Sequence, residues 1–490
     1  MNPLRQTTAA MMLLTAVAAA YGSDSTSSRQ SFSEFRQSVL SDYASFRENV
    51  LKDYARFLEN AWVEYDRFKG IERDETPKPD KAPVAPRQAD TPRDSDIPAP
   101  QTIADDPKPL PPSATPEPPA PQPEPEPAAE QTFDFYGMTF GMPQTDVRIP
   151  RRLGSEKEFA SLWRDLDSDS QARALCSHLQ ALAASHRFND YLTFDLVRGY
   201  VNTRYSGHHS TARMALSHFL LTHMGFGARL GMTATGEGLL LLPFSQTVYG
   251  RPYMRIDSSR FFIFADSDDL DPSTSITTCR LPEGATTGRE LDLRFAQAPA
   301  IPYKPHTFHL KFGGIELNGN VNANLFPMLY RYPQMEMTDY ASTVLEPELR
   351  ADIVNQIKIQ LAGKPQLEAV DALLRFTQSA FSYATDDQAH GFEKPYFFEE
   401  MLFYPQCDCE DRAVFYTYLL WNALGIENQM ITYPGHESAA VCLTEPIGGD
   451  SYSFDGRTFY ISDPTYIGAR TGQCMPDYVT TRPQIDHHYR

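Results

Sequence analysis

The sequence predicts an α+β protein, and three observations predict it. Residues 414–424 form an apolar run after the cluster Gln406-Cys407-Asp408-Cys409-Glu410-Asp411, and Gly425 closes it. That is the pattern of a buried helix with a glycine stop. Residues 438–441 and 457–463, rich in small, branched and aromatic residues beside turn signals, read as strands. An upstream segment repeats the order: 212–224 reads as a helix ending at Gly225, and 260–266 resembles 457–463.

The elements follow in chain order. Residues 1–20 read as a signal peptide: Arg5 supplies the positive start, 9–20 the short apolar core, and Ala18-Ala19-Ala20 the cleavage site. The chain is therefore expected to be exported, whether to a periplasm, the cell surface or the medium. Residues 32–69 carry an 11-residue repeat. Phe35, Phe46, Phe57 and Phe68 share one phase; Tyr43, Tyr54 and Tyr65 share another; Leu40, Leu51 and Trp62 a third. At about 100° per residue these phases merge into one apolar face, which predicts a long helix suited to self-association or packing, with membrane-surface contact as the alternative. The polar face mixes Arg36, Arg47 and Lys52 with Asp42, Asp53 and Glu64, which disfavours the membrane.

Residues 71–131 are expected to be a disordered Pro-rich linker. They hold no aromatic residue, and 18 of the 39 prolines fall between positions 76 and 127. Such a stretch buries too little to fold. Residues 132–300 are expected to form an α/β domain, 301–478 a second domain, and 479–490 a loose tail. The first domain reads as a degenerate copy of the second, with His209 where Cys409 stands and Gly236 where His436 stands.

The net charge of −19 leaves no basic surface for nucleic acid. Six cysteines in 490 residues, Cys176, Cys279, Cys407, Cys409, Cys442 and Cys474, are too few for a disulfide scaffold, so a thiol is available for chemistry.

Cys409 is the candidate nucleophile. Asp408 reads as the N-cap of the buried helix and Asp411 as its capping-box partner, which sets Cys409 in the first turn, where backbone N–H groups favour a thiolate. Glu410 and Asp411 oppose this by like charge, so a cationic imidazole is needed. His436 follows the Pro434-Gly435 turn at a strand start. Asp463 ends a strand at Asp-Pro, which breaks pairing. If the two strands are antiparallel neighbours, Asp463 reaches one ring nitrogen of His436 and leaves the other for Cys409.

Cys-Glu-Asp before an apolar helix, then Gly-His, then Asp-Pro-Thr resemble the transglutaminase-like superfamily over roughly residues 340–478. Phe376-Thr377-Gln378, Phe381-Ser382-Tyr383 and the stretch from Phe397 to Leu402 match its helix and the loop before the cysteine. The resemblance implies a papain-like fold, a helix bearing cysteine packed on an antiparallel sheet. It implies thiol acyl chemistry on an amide, with Cys409 as nucleophile, His436 as base and Asp463 as the orienting acid. Cys407 departs from the pattern, since many members carry glycine or a polar residue there. The expected activity is hydrolysis of peptide-type or glutamine amides on a protein or peptide substrate, with no cofactor and no metal. A protein-crosslinking transferase and a non-catalytic binding or structural module are the alternatives. The acidic turn 266–271 reads as a solvated loop, and the His208-His209 and His487-His488 pairs lack partners at metal spacing.

Overall fold

A computed structural model describes residues 54–59, 62–73, 76–86, 131–256, 258–266, 275–279 and 288–490. The signal-peptide reading, the first part of the repeat, linker residues 87–130 and most of the acidic turn lie outside the described residues. The chain forms two units of mixed helices and antiparallel sheets. One comprises residues up to 72 together with 143–300, the other residues 73–142 together with 301–490.

In the first unit, helices Glu156–Ser168, Ser170–Ser185, Asp190–Arg204 and Ser210–His223 precede the main strands. Their starts follow from local chemistry. Ser155 and Glu158 make a capping box, and the Asp169 and Asn189 side chains accept from backbone N–H groups of the next turns. A seven-stranded antiparallel sheet follows, with strands in the order Trp62–Tyr65, Ile276–Cys279, Arg229–Thr233, Gly238–Leu242, Ser259–Phe264, Tyr253–Ile256 and Arg67–Phe68. Its two edge strands are consecutive in sequence, separated by Asp66 alone, so the sheet curls until its edges nearly meet. Leu239, Leu240, Leu241 and Leu242 are all buried, as expected of a strand covered on both faces.

The predicted helix over 32–69 is corrected within its described part. The helix there spans Tyr54–Leu58, and the chain then extends as strands. Trp62, Val63 and Tyr65 are strand-favouring residues, and Trp62–Tyr65 pairs with Ile276–Cys279 along its length. Tyr54 is instead a core residue, its hydroxyl 2.9 Å from His218 Nε2 and its ring 4.4 Å from that of Trp163. Tertiary pairing overrides the repeat.

In the second unit, the Cys409–Leu424 helix packs on a five-stranded antiparallel sheet. The strand order is Ser451–Phe454, Arg457–Ile461, His436–Val441, Asn428–Tyr433 and Gln484–Tyr489. Gly425 ends the helix at φ 66°, a left-handed conformation that glycine adopts without strain. Phe415, Tyr416, Leu419 and Leu420 from the helix meet Ala439, Val441 and Tyr460 from the sheet and helices Pro347–Leu361 and Gln366–Ser379 in one core. Two hairpins, Gln131–Phe135 with Met138–Met142 and Pro305–Phe312 with Ile315–Asn322, also belong to this unit.

Two further expectations are corrected here. Residues 479–490 are no loose tail: Gln484–Tyr489 is a sheet strand, with His487 Nδ1 2.7 Å from Thr338 Oγ1 and His488 Nε2 3.0 Å from Glu427 Oε1. The described linker residues, 71–73 and 76–86, are packed rather than free. Ile71 bridges Tyr249, and Val84 bridges Ile467. Among the described residues no helix is long and apolar enough to cross a membrane.

Candidate active site

Each element that carries a predicted site residue takes the conformation its sequence dictates. Asp408 caps the helix, its N–H donating to Asp411 Oδ2 at 3.1 Å, so Cys409 is the first helical residue. Asp411 Oδ1 also accepts from the Tyr396 N–H at 2.8 Å, which ties the preceding loop to the cap. The Pro434-Gly435 turn, with Gly435 at φ 70°, joins Asn428–Tyr433 to His436–Val441 with Tyr433 opposite His436. The next strand, Arg457–Ile461, pairs antiparallel with His436–Val441 through Ala440 and Ile461, two residues before Asp463.

That adjacency brings His436 and Asp463 together, with Nε2 2.8 Å from Oδ2. The other carboxylate oxygen accepts from the N–H groups of Thr465 and Tyr466 at 2.8 and 3.1 Å. Asp463 is thus held on both oxygens and fixes the ring. His436 Nδ1 is buried and has no hydrogen-bond partner among the described residues.

Cys409 is also buried, on the helix that packs against the His436 strand. Its sulfur does not bond the ring. It donates to Glu410 Oε2 at 3.2 Å, and the Glu437 N–H faces it. Burial pushes the thiol well above its ordinary pKa, and Glu410 and Asp408 add to the rise. The Lys78 ammonium and the Glu437 N–H pull the other way and lose. The sulfur is therefore a neutral thiol in this arrangement.

A carboxylate cluster surrounds the helix start. Burial, then Glu410, push Asp408 well above the usual range, and burial does the same to Asp411. Asp386 rises to about 6, mainly by burial and then through Glu410. Glu410 is lowered: burial raises it, but Lys78 and other partners outweigh that. Asp386, Asp408 and Asp411 approach closely enough to share a cation. Lys78 Nζ stands beside this cluster: it bonds Glu410 and lies 2.8 Å from Asp408, 2.6 Å from Glu393 and 3.9 Å from Asp386.

Several contributors were illegible in the sequence. Gln378 Nε2 donates to the carbonyls of Asp463, Tyr466 and Ala469, at 3.0, 2.8 and 3.2 Å, and so anchors the loop after the Asp463 strand. Tyr478 stacks on His436 with centroids 5.6 Å apart. Lys78 and Arg73 sit in the stretch that reads as linker, and no local signal marks them. All six cysteines are unbridged. Cys407 packs under Arg412, whose Nε lies 3.4 Å from its sulfur.

In the first unit, His209 caps the Ser210–His223 helix by accepting from the Thr211 N–H, and Gly236 sits in a turn at φ 85°. The order helix, hairpin, then a third strand paired with the second strand of the hairpin recurs in both units. Compared with protein-family profiles, curated proteins and solved structures, the chain matches none.

Proposed function

We propose that this protein is a thiol-dependent acyl-transfer enzyme acting on peptide-type or glutamine amides, with a papain-like arrangement of helix and sheet in its second unit. The carrying observation is the state of His436: one nitrogen held by Asp463 at 2.8 Å, the other buried and unpartnered among the described residues, on the strand against which the Cys409 helix packs. A histidine fixed in one orientation by a carboxylate, with its second nitrogen kept free, suits a general base.

In this reading, Cys409 turns from Glu410 toward His436 Nδ1 and gives up its proton there. The thiolate attacks the amide carbonyl, and the C–N bond breaks as the imidazolium protonates the departing amine. A thioester to Cys409 remains. Water, deprotonated by His436, attacks the thioester, the C–S bond breaks to give a carboxylic acid, and the departing Cys409 sulfur takes the proton back from His436; an amine in place of water gives a new amide. The first unit is read as a copy that has lost this chemistry, since a capping histidine and a serine occupy the helix start there. Export and a protein or peptide substrate belong to the same proposal.

The test is chemical. In the Lys78→Ala protein, which lacks the ammonium tying residues 76–86 to the helix start, limiting iodoacetamide at pH 6 is expected to alkylate Cys409 faster than Cys407, with the adducts mapped by mass spectrometry. Adding His436→Ala to that protein is expected to slow Cys409 at least tenfold while leaving Cys407 unchanged. Equal rates in the two proteins would leave a non-catalytic module as the better account.

A further inference from the structure

Cys409 is buried by the chain itself. Cys409, His436 and Asp463 are 1, 3 and 2 % exposed, so no substrate reaches them in this arrangement. The covering segment runs through residues 73 and 76–86, and its contacts follow the site from one end to the other. Arg73 Nη2 reaches Glu437 Oε2, beside His436, at 3.3 Å and Asp486 Oδ2 at 3.2 Å. Thr76 and Pro77 cross the turn before His436 so closely that a Cβ on Gly435 would stand 2.8 Å from the Thr76 side chain and 3.0 Å from the Pro77 carbonyl. Lys78 then drops its ammonium between Asp408 and Glu410, the two neighbours of Cys409. The Pro79 carbonyl accepts from the Tyr383 hydroxyl at 2.8 Å. Beyond it, the Pro83 carbonyl accepts from the Ile467 N–H at 2.8 Å, and the Ala85 N–H donates back to the Ile467 carbonyl at 2.9 Å, just past Asp463.

This is the geometry of an extended peptide lying in a binding groove: backbone hydrogen bonds along its path and one side chain in a pocket of matching chemistry. The pocket suits a compact ammonium. Three of its carboxylates, on Asp386, Asp408 and Glu410, are buried, and the second oxygen of Asp408 has no partner among the described residues. Burying such a cluster without a cation is costly. The prolines at 77, 79, 83 and 86 hold the segment extended and lower the entropy lost when it docks.

We infer that residues 73 and 76–86 belong to a resident strap, bound through Lys78, that keeps Cys409 covered until it is displaced. The strap and the substrate of the proposed reaction compete for one groove, so the inference rests on that reading for its purpose but not for its test.

Iodoacetamide labelling of Cys409 measures access directly. Lys78→Ala is expected to raise the labelling rate at least tenfold. Loss of the cation alone would raise the thiol pKa further and slow the reaction, so acceleration reports uncovering. Ala85→Pro removes the N–H bonded to Ile467 without touching the acidic pocket and is expected to accelerate labelling in the same way. A synthetic peptide of residues 73–86, added to the Lys78→Ala protein, is expected to slow labelling back toward the wild-type rate. The same peptide with alanine at position 78 is not. Folded variants that label at the wild-type rate, or peptides that do not differ, overturn the strap. If the strap variants accelerate labelling but His436→Ala leaves the rate in the Lys78→Ala protein unchanged, the strap stands and the catalytic reading falls.

Discussion

At the scale of single residues, the site is a contest of charges around one sulfur. The Glu410 carboxylate accepts from the Cys409 thiol and, after burial, contributes most to holding it protonated. Glu410→Gln removes that charge. The midpoint of Cys409 labelling against pH is expected to move down; an unchanged or higher midpoint would show that Glu410 does not govern the thiol. Asp463 acts at one remove, through His436. Asp463→Ala frees the ring and leaves the Thr465 and Tyr466 N–H groups without their acceptor. Any His436-dependent acceleration of labelling should disappear, and stability should fall by about 1–3 kcal/mol in urea unfolding. Asp463→Asn keeps an acceptor oxygen, so it should recover most of the stability but not the reactivity.

At the scale of elements, the Cys409–Leu424 helix is both the carrier of the thiol and the centre of its unit's core. Its start is set by the Asp408 cap, its end by Gly425, and its face by Phe415, Leu419 and Leu420, all fully buried. Phe415 packs between Phe398 and Phe381 with centroids 4.7 and 5.3 Å away. Phe415→Ala is therefore expected to cost about 3–5 kcal/mol in chemical denaturation. A cost under about 1 kcal/mol would mean that the core collapses around the gap. The helix, its cap and its stop were readable because they depend on neighbours within four residues. The start of the His436 strand and the place of Asp463 just beyond a strand end were readable from turn residues, Pro434-Gly435 and Asp463-Pro464. The expected helix over residues 32–69 fails at 62–68 because an 11-residue period says which residues could share a helical face, while the partner strand Ile276–Cys279 decides that 62–65 extend.

At the scale of the whole chain, stability depends on pH through the buried carboxylates of Asp386, Asp408, Glu410 and Asp411. Asp386 is raised to about 6, above the ordinary value near 4 that it takes when unfolded. The unfolded chain therefore ionises first as pH rises. The stability linked to Asp386 is intact below about pH 4 and declines as pH climbs through about 6. Asp386→Asn stays neutral and keeps an oxygen for the Lys394 N–H, now 2.6 Å away. The variant should match wild type near pH 4 and exceed it in denaturation midpoint at pH 7; a wild-type protein more stable at pH 7 would reverse the assignment.

The sequence by itself determined the α+β class, the Asp408 cap and Gly425 stop of the helix that bears Cys409, and the three residue types of the proposed site, because these follow from propensity, periodicity and turn chemistry over short spans. The tertiary structure alone decided that Lys78 meets Glu410 across 332 positions, that Gln378 holds the Asp463 loop, and that the C-terminal residues form a sheet edge. Such contacts form where buried charges and open backbone groups need partners. That need arises only once the chain has folded, so no local pattern announces which residue will meet it.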